Sequence, residues 1–484
     1  MDNFSHQVAR ATKWSGITEI IAKLVTPISS MVLARVLTPE AFGVVATIVM
    51  VISFAELFTD AGFQKYLIQH EFRDQDDLEK STNVAFWTNL MFSLLLWVII
   101  SVFANPLAEL VGSPGCGMVL VIACVSIPLE AFSSIQLALH RKNLDFKTLF
   151  KVRIASLLVP LVFTIPIALY LRSYWALVWG MILQNFLNAI LLAYYSKWKP
   201  SWFYSYLKLK EMLSFTIWSL VESVSIWLTG YVDVFIVGTL LSQYYLGLYK
   251  TSIALVGQIT GLVTAATTPV LFSSLSKLQN NEEEFKKLFL TFQKFVSVPI
   301  IPLGVLIFCF SDTITQIALG GQWKEAAHFI GLWGLTSSLV IVLSNYSCEI
   351  YRAWGKPKLS VLSQWLYLMV MWPTVLISVR YGFDTLCMAR SLVRFEGLLV
   401  DMTIPFLLIR LSPIQMIKNI MPALICSILI MIFALTMRNF CHTVVEELLL
   451  ILPCILIYMM MMLLFPKERM TIRAYLLRGS RDGE

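Results

Sequence analysis

The chain has 484 residues, of which 58% are hydrophobic and 14% are charged. This composition excludes a soluble globular enzyme, because about a quarter of the residues in an ordinary soluble domain are charged. The formal net charge is +7, and basic loops facing anionic lipid head groups account for it without nucleic-acid binding.

About fourteen apolar stretches, most of them near 20 residues long, run from around Ser15 to around Phe465. A helix of roughly 20 residues crosses a bilayer core about 30 Å thick, and unbroken rather than alternating apolar runs favour helices over strands. We therefore predict an all-α polytopic membrane protein. The predicted spans are 15–37, 42–63, 83–104, 116–138, 149–171, 174–194, 213–238, 244–273, 289–310, 326–350, 359–380, 384–409, 419–437 and 445–465.

Basic residues are distributed unevenly between the two ends of these spans. If the amino terminus is cytoplasmic, most of the 37 Lys and Arg residues lie in cytoplasmic segments. Because short loops rich in Lys and Arg stay in the cytoplasm, we expect both termini there. The opposite side receives only Arg35, Arg172, Lys324, Arg380 and Arg438.

A weak internal repeat divides the chain. Residues 34–43, ARVLTPEAFG, align with residues 238–247, GTLLSQYYLG, at an offset of 204. A repeat of six helices keeps its membrane orientation, so the copies should be related by a pseudo-two-fold axis along the membrane normal. The sequence predicts an amino-terminal lobe over 1–200, a second lobe over 201–410, and two further helices with a basic cytoplasmic tail over 411–484.

Three segments resemble a known family. They are LARVLTPEAFGVVATIVMVISFAELFTDAGFQKYLIQ in the first half, and YVDVFIVGTLLSQYYLGLYKTSIAL and TPVLFSSLSKLQ in the second. They resemble bacterial oligosaccharide flippases, the Wzx-like polysaccharide transporters, whose superfamily also contains multidrug exporters and lipid II flippases. The resemblance covers roughly residues 10–410. Its motifs are turns and packing positions, which specify the family better than the substrate.

The resemblance implies a function. A polyprenyl-diphosphate-linked oligosaccharide would cross the bacterial inner membrane by alternating access, feeding O-antigen, capsule or exopolysaccharide assembly. The expected partners are this substrate, membrane lipids, and polysaccharide polymerase and chain-length proteins, and the chain would act as a monomer. Neither a cofactor nor a metal is implied. A cation-coupled multidrug exporter of the same fold is the first alternative. A membrane glycan polymerase or ligase is the second, although the sequence has no HExxH, GxSxG or Walker motif and no large polar loop.

Ionisable residues within the spans indicate where a substrate would bind. At the bilayer centre such a side chain costs from about 2.5 kcal/mol upward, so it normally faces a wet cavity or a partner. The resemblance places helices 1, 2, 7 and 8 around a central cavity. The candidates for binding an anionic substrate are Lys23, Lys250, Arg390 and Arg394. The candidates for ion coupling or ion pairing are Glu19, Asp60, Glu222 and Asp233.

Each candidate also has a purely structural explanation. Glu19 and Lys23 are one helical turn apart, a spacing that favours a local ion pair, and Lys250 is within reach of Asp233. Arg390 and Arg394 share a helix face, where they would either bind phosphate through their planar donors or pair with a residue such as Glu349. Aromatic residues of the seventh span are candidates for stacking on sugars or for packing against lipid: Trp218, Trp227 and Tyr231.

Overall fold

The computed structural model describes residues 2–60, 62–356 and 358–465, and their side chains except those of 2–9, 60, 214–219, 221–222 and 266. All regular elements in these ranges are helical, which confirms the all-α prediction. Contacts between Cα atoms divide the chain into two compact units, Met1–Lys250 and Thr251–Glu484. The sequence-based boundaries at residues 200 and 410 stay predictions, and the basic tail beyond residue 465 lies outside the described residues.

The first unit contains eleven helices and the start of a twelfth. These are α1 (Asp2–Val36), α2 (Pro39–Asp60), α3 (Phe63–Gln69), α4 (Gln75–Val102), α5 (Ala104–Leu110), α6 (Gly117–Ala123), α7 (Ser126–Lys142), α8 (Phe146–Val159), α9 (Ile165–Leu171), α10 (Trp175–Tyr195), α11 (Tyr206–Leu240) and α12 (Gln243–Ser276). A π-helical turn, Pro160–Thr164, joins α8 to α9.

The second unit continues from α12. Its helices are α13 (Glu282–Cys309), α14 (Ser311–Ala318), α15 (Ala327–Val340), α16 (Ser347–Ala353), α17 (Lys358–Ser378), α18 (Phe383–Leu392), α19 (Arg394–Ile409), α20 (Pro413–Arg438) and α21 (Val444–Leu463). A second π-helical turn, Ile341–Asn345, lies between α15 and α16.

Thirteen helical segments of the described residues are long and apolar enough to cross a membrane. They coincide with thirteen of the predicted spans. The remaining predicted span, 384–409, is helical but divides at Val393 into α18 and α19. It carries Arg390, Arg394, Glu396 and Asp401, so its charge sets it apart from an ordinary lipid-facing span.

Polar side chains fix where several helices begin. Asp74 accepts a hydrogen bond from the backbone N–H of Asp77 at the start of α4 (2.7 Å). Asn281 does the same for Glu284 in α13, and Thr443 for Glu446 in α21 (both 3.2 Å). These caps satisfy backbone donors that a helix cannot satisfy internally. The helix starts are therefore specified by local sequence.

The two copies of the internal repeat have matching helix bounds. α1 and α11 each contain 35 residues and end at Val36 and Leu240. The helices that follow begin at Pro39 and Gln243. Val36 and Leu240 are 204 residues apart, as are Pro39 and Gln243, which is the offset of the sequence repeat. The repeat detected in a ten-residue turn therefore extends through the whole preceding helix.

The two repeated turns pack directly against each other within the first unit. A Cβ atom on Gly43 would lie 1.9 Å from the backbone oxygen of Gln243, and one on Gly247 would lie 1.8 Å from the backbone oxygen of Pro39. The contact is reciprocal, since the first residue of each helix meets the glycine four positions into the other. Only a residue without Cβ permits so close an approach.

A third turn, which follows α5, also contacts the end of α11. Gly112, after α5, has φ +76°, and a Cβ atom there would lie 1.7 Å from the backbone oxygen of Gly238. The Gln243 side chain donates a hydrogen bond to the Gly112 carbonyl. Nearby, the hydroxyls of Thr47 and Ser113 are 2.8 Å apart. The end of α11 is thus fixed by backbone contacts rather than by side-chain packing alone.

The second unit packs around α13, which contacts both α15 and α20. The last two helices form a pair attached to this core. Arg438 of α20 forms ion pairs with Asp312 of α14 (2.6 Å) and with Glu447 of α21 (3.2 Å). The two additional carboxy-terminal helices are therefore part of the compact second unit.

The glycine contact generates a stability prediction. Gly43→Ala and Gly247→Ala should each lower the stability of the folded protein by about 1–3 kcal/mol, because the new methyl group overlaps a backbone carbonyl. Gly230→Ala in α11 is the matched control, since nothing lies within 4 Å of a Cβ atom there. Thermal unfolding of the purified proteins in detergent measures the effect. Equal stability of all three variants would contradict the reciprocal contact.

Candidate functional site

The first unit contains a polar cavity of about 480 Å³. Its lining combines hydroxyl, amide, carboxylate and guanidinium groups, which suit a ligand with many hydroxyls. The polar lining residues are Ser15, Thr18, Glu19, Gln64, Glu130, Ser133, Ser134, Arg141, Arg153, Asn185 and Asn188.

A second cavity of about 250 Å³ adjoins the first, because Gln64, Glu130 and Ser134 line both. It adds Glu56 and Asn89 to the polar surface. Together the two cavities form one polar region within the first unit.

Asn89 of α4 is a functional candidate that the sequence analysis missed. The side chain is only 1% exposed. Its amide nitrogen donates to the Ser134 hydroxyl at 2.8 Å, while its amide oxygen has no hydrogen-bond partner among the described residues. A buried polar atom of this kind is rare in a native structure and offers an acceptor to a ligand. Its only sequence signal is an amide inside the apolar run 83–104.

Glu19 faces the larger cavity, and its side chain is exposed. Lys23, one turn further along α1, is half-buried. In the part of the chain that the structure describes, no ion pair joins them. The geometry thus accords with the cavity role for Glu19, and the substrate-binding role of Lys23 stays a prediction.

Lys250 lies at one end of a row of aromatic rings. Its ammonium nitrogen is 4.9 Å from the centroid of the Tyr231 ring, a cation–π distance. Tyr231 stacks on Trp227 with 5.4 Å between centroids, and Trp227 in turn lies 4.9 Å from Phe54. The Trp227 indole N–H donates to the Ser53 hydroxyl at 3.0 Å. Because Ser53 lines the smaller cavity, the row connects Lys250 to the polar region.

Asp233 is buried between α11 and α12. Its carboxylate accepts hydrogen bonds from the Tyr249 hydroxyl (2.6 Å) and from the backbone N–H of Val234 (2.8 Å). Tyr249 precedes Lys250, so the acidic and basic candidates occupy the same region of the first unit. Whether Asp233 pairs with Lys250 stays a prediction.

In the second unit, Arg390 and Arg394 converge on a tryptophan. Their guanidinium carbons lie 5.0 Å and 4.0 Å from the centroid of the Trp333 ring. Arg390 is buried and also donates to the Tyr367 hydroxyl, whereas Arg394 is partly accessible and donates to the Ser337 hydroxyl. The aromatic faces offset the cost of holding two cations close together.

The structure pairs Glu349 with a different arginine from those predicted, and three other candidate side chains are not described. Glu349, proposed as a partner for the arginine pair, forms its ion pair with Arg352 at 3.1 Å. The side chains of Asp60, Trp218 and Glu222 lie outside the described residues. Their proposed roles in ion coupling or sugar stacking stay predictions.

Comparison with known proteins gives a family match over more than half of the chain. The family model described as "Polysaccharide biosynthesis protein" matches residues 32–328. An uncharacterised membrane protein in the cps region of Klebsiella pneumoniae is 21% identical over 376 residues, covering 77% of this chain and 76% of that protein. The succinoglycan biosynthesis transport protein ExoT of Rhizobium meliloti is 23% identical over 345 residues, covering 70% and 68%.

Among solved structures, the lipid II flippase MurJ in an inward closed conformation has a similar fold. It superposes with a TM-score of 0.76 at 15% identity, covering 94% of this chain and 99% of that one. The chain therefore has the fold of that structure.

Proposed function

This chain belongs to the polysaccharide biosynthesis protein family, and from that premise we propose that it is a flippase for a lipid-linked oligosaccharide. The substrate would be a polyprenyl-diphosphate-linked glycan that moves from the inner to the outer leaflet of the bacterial inner membrane. The product would feed O-antigen, capsule or exopolysaccharide assembly. The observation that carries the proposal is the polar region inside a lobe of apolar helices in a chain of this family.

The chemistry of the polar region suits a glycan. Sugar hydroxyls both donate and accept hydrogen bonds, and the cavity offers carboxylate acceptors such as Glu19 and Glu130 beside the amide of Asn185. The aromatic row formed by Phe54, Trp227 and Tyr231 offers flat apolar faces for sugar rings. The polyprenyl tail needs no pocket, because it stays in the hydrocarbon of the bilayer.

The diphosphate requires positive charge. In the first unit Lys250 ends the aromatic row, and in the second unit Arg394 presents a planar guanidinium that can bind phosphate through two donors. Lys23 is a further cation on α1. Lys250 and Lys23 would bind the charged head group while the glycan occupies the polar region of the first unit. Arg394 is a separate phosphate-binding candidate in the second unit.

The remaining features of the proposal concern orientation and partners. Both termini would lie in the cytoplasm, and the protein would work as a monomer by alternating access. Polysaccharide polymerase and chain-length proteins would act on the product at the outer face. Excess Lys and Arg in the cytoplasmic connections supports this orientation.

A second candidate function is a cation-coupled multidrug exporter. The three carboxylates that line the polar region, Glu19, Glu56 and Glu130, favour it, because a cationic drug seeks acidic groups. The drug susceptibility of a deletion strain separates the two functions. Unchanged susceptibility together with loss of surface glycan would support the flippase.

Deletion of the gene tests the proposed function directly. The lipid-linked glycan should accumulate on the inner face of the membrane, where a membrane-impermeant glycosidase or lectin added to intact spheroplasts does not reach it. Opening the membrane should make it accessible. Accumulation of unpolymerised units on the outer face would instead indicate a polymerase or ligase.

The role of Lys250 has its own prediction. Lys250→Gln should lower glycan export about tenfold or more at normal abundance, because a charged contact to the diphosphate is lost. Lys250→Arg is the control and should retain activity, since it keeps the positive charge. Recovery of export in the double variant Asp233→Asn with Lys250→Gln would reveal a structural ion pair, because neither charge is then left unpaired.

The arginine pair should separate into two roles. Arg394→Gln should lower export while the protein remains at normal abundance, because this partly accessible side chain is the one that can reach phosphate. Arg390→Gln should lower abundance, since its buried guanidinium is held by Trp333 and Tyr367. Quantitative immunoblotting of membranes beside surface glycan measures both. Normal export in Arg394→Gln and in Lys250→Gln would remove these cations from the substrate site.

A further inference from the structure

Asp401 of α19 has an environment that the proposed substrate site does not use. The side chain is 4% exposed. Its carboxylate accepts hydrogen bonds from the hydroxyls of Ser344, of Tyr351 (3.1 Å) and of Ser363 (2.7 Å). The three donors come from the π-helical turn, from α16 and from α17, so one carboxylate joins four elements of the second unit.

All of the hydrogen-bond donors are neutral. Among the described residues Asp401 forms no ion pair, and Arg352, the cation of neighbouring α16, pairs with Glu349 instead. A carboxylate sealed from water without a cation is costly within a membrane protein, and such a residue is a functional candidate by default. Packing alone does not explain why a charge is placed here.

The other ionisable groups around Asp401 do not neutralise it. Those near enough to act on it electrostatically are Tyr351 and Cys348 of α16 and Glu396 of α19 itself, and none is a cation. The basic groups of the neighbouring helices have other contacts: Arg390 and Arg394 contact Trp333, and Arg438 pairs with Asp312 and Glu447. The remaining acidic and basic side chains on the packed helices lie within the first two turns of their helices: His328, Lys358, Asp384 and Lys418.

Hydroxyl donors suit a carboxyl group that changes its protonation state. They stabilise the ionised form by donating, and they rotate to accept when the carboxyl gains a proton and becomes a donor itself. An arginine or lysine partner would hold the group ionised permanently. A metal cation would need several oxygen lone pairs directed at one point, whereas here the hydroxyls are in direct contact with the carboxylate.

The position of the cluster connects protonation to helix packing. Ser344 lies on the π-helical turn Ile341–Asn345, and such turns occur often at functional sites. α19 packs against this turn and against α16 and α17. Rearrangement of the three hydroxyls when Asp401 gains or loses its proton therefore changes a contact among several helices at once.

We infer that Asp401, held by Ser344, Tyr351 and Ser363, is a proton-binding site whose occupancy couples a transmembrane proton gradient to the conformational cycle of the protein. The proton-binding half of this inference is independent of the substrate. The coupling half rests on the proposed flippase function.

Chemical labelling tests proton binding without any glycan. Dicyclohexylcarbodiimide adds to a protonated carboxyl group in an apolar setting, and mass spectrometry locates the product. In the full chain reconstituted in liposomes, labelling of Asp401 should fall as pH rises and should be equal in sodium chloride and choline chloride. Protection by sodium would overturn the proton assignment in favour of a metal cation. Absence of labelling at every pH at which the protein is stable would overturn the site.

Two variants sharpen the test. Ser363→Ala removes a donor to the ionised form, so the midpoint of Asp401 labelling should move to higher pH by about one unit. Asp384→Asn is the control, because it removes an exposed carboxyl of α18 that takes no part in the hydroxyl cluster, and it should leave the midpoint unchanged. Equal midpoints in Ser363→Ala and the unmodified protein would contradict the role of the hydroxyls.

Transport assays in the same liposomes test coupling. A pH gradient should accelerate movement of a polyprenyl-diphosphate-linked oligosaccharide by the unmodified protein and by Asp384→Asn. Asp401→Asn should lose this acceleration while retaining gradient-independent movement. Equal transport rates of the unmodified protein with and without the pH gradient would overturn the coupling. Labelling of Asp401 without any glycan movement would overturn the proposed function and leave the proton site standing.

Discussion

Lipid offers no hydrogen-bond partners, so a polar group in a spanning helix is stabilised by a partner within the protein or by a polar cavity. This constraint explains both the helical architecture and the placement of the charged residues. Asp233 accepts from Tyr249 and a backbone N–H, and Asp401 accepts from three hydroxyls. Arg390 and Arg394 lie against the ring of Trp333. In each of these contacts the partner is a neutral group.

The same constraint determines what the sequence predicts well. Spans of about 20 apolar residues have one stable structure in a bilayer, so length and hydrophobicity place the helices. Their starts are less well predicted: α1, α4 and α13 each begin seven or more residues before the predicted span. The exception is instructive. The run 384–409 is apolar enough to suggest one helix, yet the structure divides it at Val393. The break alone does not set this run apart, since the predicted span 116–138 is also divided, into α6 and α7. The five charged residues of 384–409 do: Asp384, Arg390, Arg394, Glu396 and Asp401.

Contacts between distant segments are less predictable. The Glu19 and Lys23 spacing leaves a local ion pair and a cavity role open, because helical spacing fixes only Cα positions, and in the structure Glu19 faces a cavity. The donors to Asp401 come from three elements that the sequence places tens of residues apart. Asn89 gives a weak signal for the same reason, because its partner Ser134 belongs to another helix. The sequence identifies the charged residues but not the side chains that contact them.

The glycine turns show how one sequence feature can reach further than its length suggests. A ten-residue similarity implied two related turns, and the structure brings them into reciprocal contact, with Gly43 against Gln243 and Gly247 against Pro39. Each glycine is needed because the other turn lies where its side chain would be. The glycines of the two copies therefore meet a packing requirement that each turn imposes on the other.

The candidate charged residues differ in how far they are buried. Glu19 is accessible from the polar cavity and Arg394 is partly accessible, so each can contact a ligand as large as a glycan head group. Asp401 is sealed among hydroxyls, and no sugar or phosphate can reach it without unpacking four elements. Only a particle as small as a proton can change its charge in the packed state. A chain that both recognises a large anion and responds to a gradient needs both kinds of site, because a group open to substrate cannot also report proton occupancy independently of it.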